Sequence, residues 1–324
     1  MFWQFCKEQF GFTSEEPTLE KLVITMFSTY AERVIDGELP KAWQAFSSFK
    51  PGNTIAFLDN LMNNVLYHNK FDELSRLVAT QLKVETSLKK YAPEALVECE
   101  IFEGIDEIII QWMRERLLDE NVGATLSGMN MVQVCELRMK KHFGKIYKAQ
   151  YKLIEAAYYL VQEAKYNCPN EFEQLIAQYK EKDYRIDNYY RKFYYYYDQL
   201  EESTAYENLR DLVENIYTNE YLYNQLSKWN KGLQQEDAFN VLPRQIEFYS
   251  KFVKHSKEKK IIIISDALRY EVGYSLWQKL QDTAKCSAQL DMMLGVLPSY
   301  TRLGMAALLP HQSLEMTDDY KVLA

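Results

Sequence analysis

Four consecutive isoleucines, Ile261–Ile264, follow a run of charged residues and lead directly into Ser265 and Asp266. An uninterrupted β-branched run of this kind is typical of a strand buried on both faces, as in a parallel sheet. The residues from Leu268 to Leu280 then alternate as an amphipathic helix, and a second apolar stretch runs from Ala288 to Val296. The pattern predicts a β-α-β unit with a right-handed crossover, followed by a loop and a further helix that begins near Thr301.

The residues before this unit carry a different pattern. Glycine (11) and proline (8) are scarce in the 324 residues, which favours long helices and few turns. Apolar residues recur at the helical spacing of 3.6 residues. Helices are predicted from Leu19 onwards and at Asn53–Tyr67, Phe102–Leu118 and His142–Lys165.

The predicted fold class is therefore mainly α, a helical bundle, followed by the incomplete start of an α/β parallel sheet. Pro243 lies near the point where the helical spacing of apolar residues gives way to the predicted β-α-β unit. We therefore predict a helical domain at residues 1–245 and a second domain at residues 246–324.

Two local features have alternative interpretations. The Tyr-rich region, Tyr184–Tyr223, is either a stacking surface for bases or a helix that buries rings on one face and shows hydroxyls on the other. Its basic residues are sparse, which favours the helix. The basic cluster Lys251–Lys260 could bind phosphate, but such a run is more often a solvated helix end.

Composition excludes some classes of protein. The net charge is −8, which argues against non-specific nucleic-acid binding by the whole chain. The five cysteines are scattered and form no CxxC pair, as expected of a reduced cytosolic protein without a zinc-cysteine site. No run approaches the roughly 18 apolar residues of a membrane span, and the start lacks a secretory signal, so we expect a soluble, cytoplasmic protein.

Asp266 and Thr301 each follow one of the two predicted strands, at the edge of the sheet where sites in parallel sheets lie. A carboxylate there is a hard oxygen ligand for a divalent metal ion. A threonine hydroxyl becomes a nucleophile once a metal ion or a base removes its proton. The structural alternative is that both residues merely cap the helices that follow them.

Two segments here carry a resemblance to a known family. The run IIIISDALRYE, followed by LGVLPSYTRLGMAALLPH, resembles the start of the PglZ domain, a member of the alkaline phosphatase superfamily found in bacterial BREX phage-defence systems. The segment FWQFCKEQFGFTSEEPTLEKLVITMF resembles the portion that precedes this domain in type A members. The resemblance implies that Asp266 is the metal-binding aspartate of the first strand. It implies that Thr301 is the nucleophile and also contacts the metal, with Ser299 as a weaker candidate.

The resemblance also implies a function. The parent would be a metal-dependent phosphatase or phosphoesterase with a divalent metal ion, zinc being favoured over manganese or calcium. It would act on a phosphorylated substrate, with other BREX system proteins as partners. The family completes a two-metal site with later Asp and His ligands, including an Asp-His pair, which this sequence lacks. We therefore expect a truncated fragment with little activity and no tightly bound metal.

Two further hypotheses stay open. The helical region could be an interaction scaffold that binds other defence-system proteins without catalysis. Nucleic-acid binding through the basic cluster and the tyrosines ranks third because of the overall acidity.

Overall fold

The computed structural model of the protein describes residues 1–165, 167–234 and 241–323. It is mainly helical. The α-helices are α1 (Phe2–Phe10), α2 (Leu19–Val34), α3 (Lys41–Gln44), α4 (Pro51–Met62), α5 (His68–Gln81), α6 (Val84–Leu88), α7 (Pro93–Leu96), α8 (Gly104–Leu118), α9 (Met131–Arg138), α10 (Lys148–Glu163), α11 (Phe172–Gln178), α12 (Tyr184–Tyr197), α13 (Glu207–Asn215), α14 (Tyr223–Leu233), α15 (Tyr270–Gln281) and α16 (Thr301–Leu308).

The chain divides into two compact units. Unit 1 comprises Met1–Glu163 and Tyr189–Asn215, and unit 2 comprises Ala164–Asn188 and Ile216–Ala324. The predicted domain boundary at residues 245/246 stays a prediction, because these units interleave along the chain. Residues 166 and 235–240, which fall inside the predicted helical domain, lie outside the described residues.

Unit 1 has an aromatic core. The Phe27 ring on α2 stacks on Phe71 of α5 with centroids 5.4 Å apart, and it contacts Phe102 at 6.0 Å. The Trp43 side chain is fully buried, and its indole N–H donates to the Leu82 carbonyl at 3.0 Å. These rings supply the apolar burial that stabilises the packing of α2 against α5.

Unit 1 also contains a fully buried ion pair. The Arg138 guanidinium on α9 donates from Nε and Nη2 to the two carboxylate oxygens of Asp106 on α8, at 2.9 and 2.7 Å. Its Nη1 donates to the carbonyls of Val97 and Cys99, and the Tyr151 hydroxyl donates to Asp106 Oδ1 at 2.5 Å. Both charged side chains are completely buried, so each depends on the other and on these hydrogen bonds.

Unit 2 buries a carboxyl group among tyrosines. Asp187 on α12 accepts hydrogen bonds from the hydroxyls of Tyr179 and Tyr217, at 2.5 and 3.0 Å. Burial raises the pKa of Asp187 to about 6, although the two tyrosine hydrogen bonds oppose the shift. In unit 1, Tyr190 and Tyr194 both donate to Glu214, each at 2.7 Å. The Tyr-rich region is thus mostly helical, as one of the two interpretations predicted. The hydrogen bonds from its hydroxyls to Asp187 and Glu214 were not predicted.

The predicted helices are confirmed, with two differences at their ends. The helix expected at Asn53–Tyr67 ends at Met62, because the Asn64 carboxamide accepts from the N–H groups of Leu66 and Tyr67 and forms a turn. The helix expected from His142 begins at Lys148 and is preceded by a 3₁₀ turn.

In the C-terminal region the prediction of an incomplete sheet is confirmed. The helices α15 and α16 lie close to their predicted positions. Its described strands are only β1 (Glu315–Met316) and β2 (Val322–Leu323), which pair antiparallel. The predicted strand Ile261–Ile264 has no ladder partner among the described residues, and neither does most of Ala288–Val296.

The expectation that the isoleucine strand is buried on both faces is therefore wrong for this chain. Ile261 and Ile263 are 82% and 87% exposed. A parallel strand is buried by strands beside it and helices across its faces, and the described residues provide neither at this position. Leu294, in the second predicted strand, forms a single parallel bridge with Arg244 instead.

Candidate functional site

The loop that carries Asp266 turns sharply into α15. Asp266 Oδ1 accepts from the Ala267 N–H at 3.1 Å, and Ala267 has a φ of 53°, in the left-handed region. For a residue with a Cβ this backbone costs roughly 1–2 kcal/mol. The Arg269 N–H donates to the Ala267 carbonyl at 2.9 Å and closes the turn. The residue at the N-cap of α15 is Arg269, so Asp266 does not cap this helix.

The loop that carries Thr301 leads into α16. The Tyr300 N–H donates to the Pro298 carbonyl at 2.8 Å, after a cis peptide bond between Leu297 and Pro298. The first helical residue is Thr301, and the N-cap is Tyr300, which makes no side-chain capping bond. Thr301 therefore does not cap its own helix either, and the capping alternative is wrong for both residues.

The two loops bring the two side chains together. The Thr301 hydroxyl lies 3.5 Å from Asp266 Oδ2. The adjacency predicted from the sequence is therefore confirmed, although both residues are exposed and the predicted sheet between them is not formed. Their chemical roles stay a prediction.

The separation suits two ligands of one metal ion. In a tetrahedral site with metal–oxygen distances of about 2.0–2.2 Å, neighbouring ligand oxygens lie about 3.4 Å apart. A carboxylate and a hydroxyl are the hard donors that divalent cations prefer. Among the described residues, however, no group of three or more His, Cys, Asp or Glu side chains is placed to hold a metal ion. The pair thus fits one side of a metal site and would need further ligands.

The other residues considered from the sequence lie elsewhere. Ser299 is exposed and makes no hydrogen bond to Asp266 among the described residues. The His311 ring, which is half-buried, bonds the Leu309 carbonyl at 2.8 Å. Asp291 pairs with Lys180 at 3.0 Å, and this ammonium group keeps the pKa of Asp291 below its usual range. The basic cluster Lys251–Lys260 is largely exposed, as expected of a solvated helix end.

Sequence reasoning missed Gln245. Its carboxamide bonds Val296 on one side of the Thr301 loop and Gly304 on the other. A single glutamine outside any motif gives no signal in one sequence, and only the folded chain brings it beside residues about fifty positions away.

Comparison with known proteins shows a domain match and two similar proteins. Residues 247–324 match the family model described as the BREX system PglZ alkaline phosphatase-like domain. The chain is 32% identical over 333 residues to the alkaline phosphatase-like protein PglZ of Bacillus cereus (strain H3081.97). It is 29% identical over 337 residues to the alkaline phosphatase-like protein BrxZ of Escherichia coli O9:H4 (strain HS).

These matches cover 99% and 97% of this chain, but only 38% and 39% of the two relatives. No solved structure matches the chain. In the part of the chain that the structure describes, none of the helices combines the length and apolar character needed to cross a membrane. Residues 247–324 therefore carry the alkaline-phosphatase-like domain of the PglZ family, and the chain as a whole is similar to proteins that bear the names PglZ and BrxZ.

Proposed function

We propose that this chain is part of a BREX-type phage-resistance protein and supplies one side of a metal-dependent phosphoesterase site. Asp266 is the metal ligand, and Thr301 is both a ligand and the nucleophile. The observation that carries the proposal is the 3.5 Å separation of the Thr301 hydroxyl and the Asp266 carboxylate, at the start of the segment that matches the PglZ domain.

The residues of the chain suit this chemistry. The Thr301 oxygen bonds to the phosphorus atom while the bond from phosphorus to the leaving-group oxygen breaks, and the proton of the Thr301 hydroxyl passes through solvent to that oxygen to give the alcohol. Water then hydrolyses the phosphothreonine, which releases inorganic phosphate and restores the hydroxyl. Thr301 is the first residue of α16, where the backbone N–H groups of the first turn have no partner within the helix. These groups and the positive end of the helix dipole favour a bound phosphate. A bound divalent metal ion, zinc, manganese or calcium, would lower the pKa of the hydroxyl and offset phosphate charge.

The described donors are too few for a complete site. We therefore propose that the 324-residue chain alone turns over phosphate esters poorly and binds metal weakly. The substrate is proposed to be phosphorylated, and its partners to be other proteins of the BREX system. The cytoplasmic location predicted from the sequence stays a prediction.

The experiment that tests this function is hydrolysis of p-nitrophenyl phosphate by the product of the longest open reading frame that contains this chain. After treatment with EDTA we expect turnover to disappear, and to return with zinc, manganese or calcium. The isolated 324-residue chain serves as the comparison and should show little turnover under the same conditions. Turnover that persists undiminished in EDTA would contradict a metal-dependent site.

An interaction role for the helical region is the second candidate. In unit 1 the rings of Phe5 and Phe57 each contact Phe10, and Phe2, Phe5 and Phe49 are 52%, 53% and 81% exposed. Exposed aromatic side chains gathered in this way are typical of protein interaction surfaces. This favours a scaffold function alongside the proposed chemistry.

A further inference from the structure

One side chain bonds both flanks of the loop that presents Thr301. The Oε1 atom of Gln245 accepts from the Val296 N–H at 3.0 Å, immediately before the loop. Its Nε2 atom donates to the Gly304 carbonyl at 3.1 Å, in the first turn of α16. The backbone N–H of Val296 can only donate and the carbonyl of Gly304 can only accept, so these two contacts fix the orientation of the carboxamide.

The backbone of Gln245 is hydrogen-bonded to the residues that precede the Thr301 loop. Its backbone N–H donates to the Leu294 carbonyl at 2.8 Å, and the Leu294 N–H donates to the Pro243 carbonyl at 2.8 Å. The neighbouring Arg244 bonds Glu247 through its backbone N–H at 3.1 Å and through its guanidinium at 3.0 Å. The backbone at Gln245 is therefore tied to the residues that lead into the loop.

Glu247, two residues after Gln245, forms ion pairs with Arg244 and Lys251. Lys251 also donates to Glu247, at 2.9 Å. The hydrogen bonds from Arg244 and Lys251 lower the pKa of Glu247 to about 2. Glu247 thus accepts hydrogen bonds from both cations, Arg244 and Lys251.

Two glycines lie against the carboxamide of Gln245. A Cβ at Gly295 would lie 3.6 Å from Gln245 Oε1, and a Cβ at Gly304 would lie 3.4 Å from Nε2. An added methyl group at either position would thus make an ordinary van der Waals contact with the carboxamide. The glutamine thus lies directly against the backbone on both sides of the loop.

We infer that Gln245 is a positioning residue, which sets the place of the Thr301 hydroxyl relative to Asp266 by tying Val296 to Gly304. The inference rests on the proposed function for its catalytic meaning. Among side chains of this length only glutamine offers an acceptor to Val296 and a donor to Gly304 at once. Displacing a reacting group by about 1 Å costs on the order of 100-fold in rate, so such a tether matters for turnover.

The test compares Gln245→Ala and Gln245→Glu in the 324-residue chain, with Gln278→Ala as the matched control. Gln278 is an exposed glutamine on α15. Two signals are followed by NMR: hydrogen exchange at the Val296 amide, and the methyl resonance of Thr301 in threonine-labelled protein. Neither signal depends on turnover, so the test stands apart from the phosphate-ester assay.

We expect Gln245→Ala to speed Val296 exchange by about tenfold, the equivalent of one lost hydrogen bond, and to shift the Thr301 methyl signal. Gln245→Glu keeps the acceptor for Val296 but loses the donor to Gly304. It should therefore leave Val296 exchange near the wild-type rate and still shift Thr301. Gln278→Ala should change neither signal.

Unchanged Thr301 and Val296 signals in Gln245→Ala would overturn the inference. If the alanine variant does not fold, Gln245→Glu decides the question, since it retains the size of the side chain, and an unshifted Thr301 methyl signal there would overturn the inference. In the product of the longest open reading frame that contains this chain, Gln245→Ala should lower kcat about tenfold or more with little change in KM. This is the effect expected when positioning is lost and substrate binding is kept.

Discussion

Replacing Asp106 with alanine should lower the free energy of unfolding of unit 1 by about 3–5 kcal/mol. The substitution leaves the Arg138 guanidinium fully buried without its carboxylate partner, and it removes the acceptor of the Tyr151 hydroxyl. A buried charge without a counter-charge is far more costly than a lost surface contact, because the protein interior replaces little of the hydration that the charge gave up. Urea denaturation followed by tryptophan fluorescence, to which the buried Trp43 of unit 1 contributes, measures the change.

The matched control is Asp119→Ala, at the end of the same helix α8. Asp119 pairs with Arg116 at 3.5 Å, and its side chain is 66% exposed. Exposed pairs of this kind contribute about 0–1 kcal/mol. If the two substitutions proved equally mild, the ion pair at Asp106 would not be the organising contact that the structure shows.

Replacing Thr301 with alanine should lower phosphate-ester turnover by at least about 1,000-fold, as the loss of a nucleophile does in other enzymes. The protein assayed is the product of the longest open reading frame that contains this chain. Thr301→Ser keeps the hydroxyl and should retain a large share of the activity. Asp266→Asn keeps the shape of the side chain but removes the charge that favours a cation, so turnover should fall while the fold is retained. Initial rates over a range of substrate and metal concentrations measure these effects.

Ser299→Ala is the control for this series. Ser299 is the weaker candidate nucleophile, two residues before Thr301, and the structure shows no hydrogen bond from it to Asp266 among the described residues. It should cost less than about tenfold in rate, since it removes no reacting group. A reversed result, with Ser299→Ala inactive and Thr301→Ala active, would move the nucleophile to the other hydroxyl.

Local pattern was sufficient for much of the fold. The apolar spacing of 3.6 residues predicted α8 closely because this helix buries one continuous face in unit 1. It also predicted α2, although the residues from Ile24 to Ala31 are buried on all sides of that helix. The helix prediction failed after Met62, where the Asn64 side chain accepts a hydrogen bond from the Leu66 N–H. Side-chain bonds of this kind compete with the backbone hydrogen bonds of a helix.

Long-range pairing was predictable only in part. Asp266 and Thr301 were expected to meet because each leaves an apolar segment before a helix, and their oxygens do lie 3.5 Å apart. The expected burial of Ile261–Ile264 did not follow, since burial depends on neighbours that a local run does not encode.

Polar contacts in the interior were not predictable. Asp106 and Arg138 lie 32 residues apart and stand among many charged residues that face solvent, so neither the pair nor its burial has a signature in one sequence. The same holds for Gln245, whose two partners lie 51 and 59 residues away.

The most direct test of the central claim is paramagnetic relaxation by Mn²⁺ in the 324-residue chain labelled at its threonine methyl groups. If Asp266 and Thr301 hold one cation between them, low Mn²⁺ concentrations should broaden the Thr301 methyl signal far more than that of the exposed Thr283 just after α15. Asp266→Ala should abolish this selectivity. Equal broadening of both signals, or selective broadening of Thr301 that survives Asp266→Ala, would contradict a shared site.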